Sequence, residues 1–144
     1  MTKFRYPETP HVGIGVVVWR DGKVLLVKRK NPPAKGQWGL PGGKQQLGET
    51  IFKAAVREVR EETEIDIAPV GIITALDAIT RDKENKVEFH YTLVEVTADW
   101  FAGEAKAGDD ALEVQWAAPD EVEKICAWPE VARVVRLSML QRVL

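Results

Sequence analysis

Cysteine is nearly absent from this chain: Cys126 is the single one in 144 residues. One thiol excludes an intrachain disulfide and fits a reducing, cytoplasmic setting. Long apolar runs are missing too. The longest, Gly13 to Trp19, is far too short to cross a bilayer, and the first residues, MTKFRYPETP, lack the apolar centre of a secretory signal. A formal net charge of −2 leaves no basic field for nucleic acid. Internal repeats and low-complexity segments are lacking as well. What remains is 45% hydrophobic and 29% charged, the balance of a soluble globular protein, and 144 residues suffice for one domain, 1–144, with a core of its own.

Within that frame, strand and helix patterns alternate. GIGVVVW (13–19) and KVLLVKR (23–29) are β-rich and flank Arg20-Asp21-Gly22, a hairpin signal because Gly accepts the positive φ of a tight turn. Asn31 to Gly43, crowded with Pro and Gly, reads as loop with a short strand around Trp38-Gly39-Leu40. A helix is expected from Thr50 to Thr63, strands from Val70 to Ala78 and Val87 to Thr97, and a loop from Ala98 to Ala111. A short strand, Glu113 to Ala117, and a closing helix, Pro129 to Leu144, complete an α/β or α+β sandwich.

The expected first helix ends in REVREETEI (57–65), four carboxylates where the helix dipole is already negative. Glu58 and Glu62 also stand at i and i+4, where like charges repel. Helical periodicity puts Phe52, Val56, Val59 and Thr63 on one stripe, expected to be the core face, with Glu58, Glu61 and Glu62 on another side above Ala54 and Ala55. A solvated helix face is one explanation of such a cluster. A hard divalent cation is another, and it relieves both the repulsion and the dipole conflict. Before the helix, Leu40-Pro41-Gly42-Gly43 offers bare backbone to a ligand or metal.

From Gly43 the segment GKQQLGETIFKAAVREVREETEI resembles the Nudix box, GX5EX7REUXEEXGU with U a bulky aliphatic residue. Gly43, Glu49, Arg57, Glu58, Val59, Glu61, Glu62 and Ile65 match; the second glycine is replaced by Glu64. The preceding strand pair and the Leu-Pro-Gly-Gly loop are also similar to that family. The resemblance implies a mixed β-sheet sandwiched between helices. It also implies hydrolysis of a nucleoside diphosphate linked to another group, with ADP-ribose favoured and a nucleoside triphosphate, or binding without cleavage, as alternatives. It further implies Mg²⁺ or Mn²⁺ on Glu58, Glu61, Glu62 and the Gly42 carbonyl, with Gly43, Glu49 and Arg57 in support. The partner is then a small nucleotide, with neither membrane nor nucleic acid; a homodimer stays open.

Several residues outside the box are candidates for the remaining roles. Lys28, Arg29 and Lys30 end a strand beside the glycine loop, where they either meet phosphate or simply face solvent. Glu113 is the favoured general base, with Asp110 second and Asp109 a turn residue or a third choice. Trp38, Trp100 and Tyr6 are candidate stacking partners for a nucleobase. If Glu64 holds the positive φ that glycine normally supplies, the strain is about 1 kcal/mol.

Overall fold

The computed structural model describes residues 4–143; residues 1–3 and Leu144, the expected last residue of the closing helix, lie outside it. The chain opens with a β-hairpin, β1 (His11–Arg20) and β2 (Lys23–Arg29). Asp21 and Gly22 both sit at positive φ, 51° and 77°, which matches the twist of the flanking strands. Two short strands follow, β3 (Trp38–Gly39) and β4 (Gly42–Lys44), then helix α1 (Ile51–Thr63). A long hairpin, β5 (Asp66–Arg81) with β6 (Val87–Ala102), leads to β7 (Ala111–Ala117), α2 (Pro119–Ile125) and α3 (Pro129–Val143).

These strands form one mixed sheet in the order β3-β2-β1-β6-β5, with β7 on β2 and β4 on β1. β1 and β6 run parallel, Gly15 opposite Glu95. β1 and β2 pair only near their turn, at Trp19 and Arg20. Further along they diverge, and β4 takes the freed edge of β1 while β3 takes that of β2. The loop Leu40-Pro41 is thereby carried into the fork, where the Pro41 carbonyl accepts the Val16 N–H at 2.9 Å.

Each face of the sheet has its own apolar layer. Ile14, Val16, Val18 and Val96 pack with Ala54, Ala55 and Val59 of α1. On the other face Val17, Val24 and Leu26 pack with Val122 of α2 and Val131, Val134 and Val135 of α3. A mixed sheet between helices is what the motif resemblance implies. No helix among the described residues is long and apolar enough to cross a membrane.

Several elements differ from expectation. β6 continues through Ala98–Ala102, read from sequence as loop, because Trp100 packs inward against the α1 layer. β5 begins at Asp66 and tolerates Pro69 because it is the sheet edge, where a missing N–H costs no ladder bond. Helix α2 was not anticipated, although Pro119 at its start and Asp120 and Glu121 in its first turn are the usual opening signals.

Candidate active site

Helix α1 is capped by Thr50, whose hydroxyl accepts the Lys53 N–H at 3.1 Å. Its buried residues are Ala54, Ala55, Val59, Glu62 and Thr63. The stripe expected to be core is thus corrected: Phe52 is 40% exposed and only its C-terminal half, Val59 and Thr63, is buried. The alanines decide the orientation. Without bulky side chains there, the helix lies close against β1 and β4, and the rotation that buries them carries Glu62 inward and Phe52 out.

The C-terminus of α1 resolves part of the charge problem. Its last carbonyls are met by backbone N–H groups of the 103–110 loop: Lys106 donates to Thr63 at 2.9 Å, Gly108 to Glu62 at 2.7 Å and Asp109 to Glu61 at 3.4 Å. Carbonyls that would otherwise project negative charge toward the glutamates are therefore spent on the loop. Glu64 occupies the left-handed region at φ 63° and donates its N–H to Arg60 at 2.9 Å, so the chain turns there without glycine.

Arg57 organises the acids. Its guanidinium grips Glu49 through two bonds, Nε to Oε2 at 2.6 Å and Nη2 to Oε1 at 2.9 Å. Nη1 reaches Glu58 at 2.6 Å and Glu61 at 3.2 Å, and Nη2 also donates to the Lys44 carbonyl at 3.0 Å. The Arg57 contact holds the Glu49 carboxyl down to about 2. Arg57 itself is pushed further up by the same partners. Glu49 accepts the Gln46 N–H at 3.0 Å, which ties the loop to the helix.

Glu58 and Glu62 both shift the other way from Glu49. Burial raises the Glu62 carboxyl to about 7, opposed by the Gly42 N–H that donates to it at 3.1 Å and by Arg29, and reinforced by Glu58 and Asp110. Burial also raises Glu58, against the pull of Arg57, with Glu61 and Asp110 adding repulsion. The glycines beneath them leave room. A Cβ on Gly43 would overlap the Glu58 carboxylate, and one on Gly42 would overlap the Ile14 carbonyl oxygen.

The fold gathers most of the sequence candidates at this point. Gly42, Gly43, Glu49, Arg57, Glu58, Glu61 and Glu62 form one cluster, and the charges of Arg29 and Asp110 act on Glu62. Arg29 is steadied by its Nε bond to the Pro33 carbonyl at 2.7 Å. Asp110 is held by the Asn31 side chain at 3.3 Å and accepts the Lys30 N–H at 3.2 Å through its carbonyl. Lys28 and Glu113 instead face each other across β2 and β7 in an exposed ion pair at 3.3 Å. Trp38 packs with the α2–α3 layer on the other side of the sheet. Trp100 carries Arg20 on its ring at 3.8 Å and bonds the Gly103 carbonyl, and Tyr6 bonds Asp82 at 2.7 Å, so both are committed to packing.

Sequence reasoning missed two features. The backbone cap from the 103–110 loop has no side-chain signature to find. Glu95 is 4% exposed, with one carboxylate oxygen unpartnered and the group raised by burial to about 7. Its signal was an acid at an inward position of the alternating segment TLVEVTA.

Whether the cluster suits a cation follows from its chemistry. Its donors are hard oxygens, and the acids that burial and mutual repulsion disfavour as anions are those a cation would stabilise. Among the described residues no three acids stand gathered as a ready shell. Glu58 is drawn to Arg57 and Glu62 to the Gly42 N–H, contacts that compete with a cation without changing the donor set.

Known proteins share this architecture. A family model described as NUDIX domain matches residues 9–137. An ADP-ribose pyrophosphatase of Methanocaldococcus jannaschii is 34% identical over 125 residues, covering 87% of this chain and 72% of the relative. The crystal structure of a MutT NUDIX hydrolase from Burkholderia pseudomallei superposes with a TM-score of 0.77 at 31% identity, covering 90% of this chain and 98% of that one. The NUDIX domain of Shewanella oneidensis NrtR, crystallised with ADP ribose, shares the fold at a TM-score of 0.72 and 21% identity, covering 95% and 90% of the two chains. The chain therefore belongs to the Nudix hydrolases, enzymes that act on phosphoanhydride bonds of small nucleotides and generally use divalent metal ions.

Proposed function

We propose that this hydrolase is a Mg²⁺- or Mn²⁺-dependent pyrophosphohydrolase that cleaves a nucleoside diphosphate linked to another moiety, with ADP-ribose the favoured substrate. The observation that carries the reading is the pair Glu58 and Glu62, half-buried and buried beside Asp110 and raised in pKa. The substrate class rests on the archaeal relative named for ADP-ribose hydrolysis and on the ADP-ribose complex of the NrtR domain.

In this reading Glu58, Glu61, Glu62 and the Gly42 carbonyl hold the metal. A cation held there would supply charge neutralisation on the diphosphate and would make a water a better nucleophile. Arg57 orients Glu58 and Glu61, and Glu49 fixes Arg57. Arg29, whose charge acts on Glu62, meets a phosphate oxygen. Asp110 accepts the proton of the attacking water. Geometry favours it over Glu113, which is paired with Lys28 on an exposed strand.

Phosphate or nucleotide release from a panel that includes ADP-ribose and nucleoside triphosphates, with and without Mg²⁺, tests the assignment. ADP-ribose should give the highest kcat/KM, and chelation should abolish turnover. A clear preference for a triphosphate moves the substrate class, and binding without turnover makes the chain a nucleotide-binding module.

A further inference from the structure

The contact between Gly108 and the end of α1 is closer than side chains allow. A Cβ on Gly108 would overlap the Glu61 carbonyl oxygen and press on that of Glu62. Both carbonyls belong to a helix whose neighbouring Val59 and Thr63 are fully buried, so they have little freedom to withdraw. Gly108 is not among the positive-φ glycines, so close approach, rather than backbone conformation, is what excludes a side chain there. The turn that follows is short. The Ala111 N–H returns to the Gly108 carbonyl at 3.5 Å, and Asp110 is tied on its far side to Lys30 and Asn31 of the β2 end. Asp110 therefore hangs between two anchors, the α1 carbonyls reached through Gly108 and the end of β2.

We propose that Gly108 is a positioning residue: its lack of a side chain lets the 103–110 loop seat on the C-terminus of α1 and so sets the distance between Asp110 and the α1 glutamates. The proposal rests on the assignment of Asp110 as the group that accepts the water proton. Adding one methyl lifts the turn from the helix and carries Asp110 with it. A displacement of about 1 Å at a reacting group costs up to roughly a hundredfold in rate.

The test is a double-mutant cycle on the full chain with Mg²⁺ and ADP-ribose, or the best-cleaved nucleotide of the panel. Gly108→Ala should lower kcat by about tenfold or more and leave KM within about twofold, since the loop sets the base and not the grip on substrate. Asp110→Asn should lower kcat further, and the double variant should be no slower than Asp110→Asn alone. A merely structural loop would make the two losses multiply, which overturns the inference, as does unchanged kcat in Gly108→Ala. If Asp110→Asn is fully active, the base assignment falls and this inference with it. If Gly108→Ala does not fold, Lys106→Pro removes a second cap N–H and should show the same lack of multiplication with Asp110→Asn; multiplied losses there contradict the proposal equally.

Discussion

Glu62→Gln in metal-free protein isolates the charge conflict at the end of α1. Glu62 is 8% exposed, and burial raises its carboxyl from an ordinary 4.5 to about 7. The folded state therefore keeps a proton that the unfolded chain has already released. The contribution of Glu62 to stability is greatest below 4.5, falls as pH rises toward about 7, and is level above. The shift corresponds to roughly 3 kcal/mol at about pH 8, an upper figure, and to a Tm change of the order of 10 °C. Glutamine carries no charge and its carbonyl still accepts the Gly42 N–H. In chelator near pH 8, Glu62→Gln should therefore melt above wild type, and the two should converge near pH 4.5. Glu95 is raised to a similar value on the opposite face, so Glu95→Gln should flatten part of the same slope. Mg²⁺ separates them: saturation at about a hundred times Kd contributes about 2.7 kcal/mol to the wild type, a gain Glu95→Gln retains and Glu62→Gln loses in large part. Thermal melts from about pH 4.5 to 8.5, with chelator or Mg²⁺, decide it. A flat wild-type profile in chelator, or a Glu62→Gln protein less stable than wild type near pH 8, refutes the reasoning.

Two further outcomes follow from the helix. Glu64→Gly should raise stability by up to about 1 kcal/mol by relieving the left-handed conformation, read as a higher denaturation midpoint at unchanged slope. Arg57→Lys should weaken Mg²⁺ activation by about ten- to a hundredfold, because an ammonium cannot hold both Glu49 oxygens while reaching Glu58 and Glu61; unchanged metal dependence would show that Arg57 does not position the acids.

Much of this site was legible because its constraints are local. The positive φ at Glu64 follows from the place it fills in the motif, and α1 begins where Thr50 caps it. Arg57, Glu58, Glu61 and Glu62 lie within about one and a half turns of α1, so spacing alone brings them near one another, and Glu49 in the loop just before the helix is joined to them by Arg57. The face that α1 buries was misjudged because periodicity weighs Phe52 and Val56 above two alanines, whereas packing against β4 favours the small residues. The relation between Asp110 and Glu113 was beyond sequence for another reason. They are three residues apart, but β7 starts at Ala111, so Glu113 is drawn into the ladder opposite Lys28 while Asp110 stays in the turn against α1. Pairing across strands distant in sequence decided that difference. The same holds for Glu95, whose inward direction depends on its parallel register with Gly15.

Mn²⁺ titration followed by electron paramagnetic resonance tests most directly whether the α1 glutamates hold the catalytic cation. Wild-type protein should deplete the free-ion signal, and Glu58→Gln combined with Glu62→Gln should weaken that uptake by about tenfold or more while the fold, judged by circular dichroism, persists. Undiminished Mn²⁺ uptake by the folded double variant would contradict the account and place the metal elsewhere.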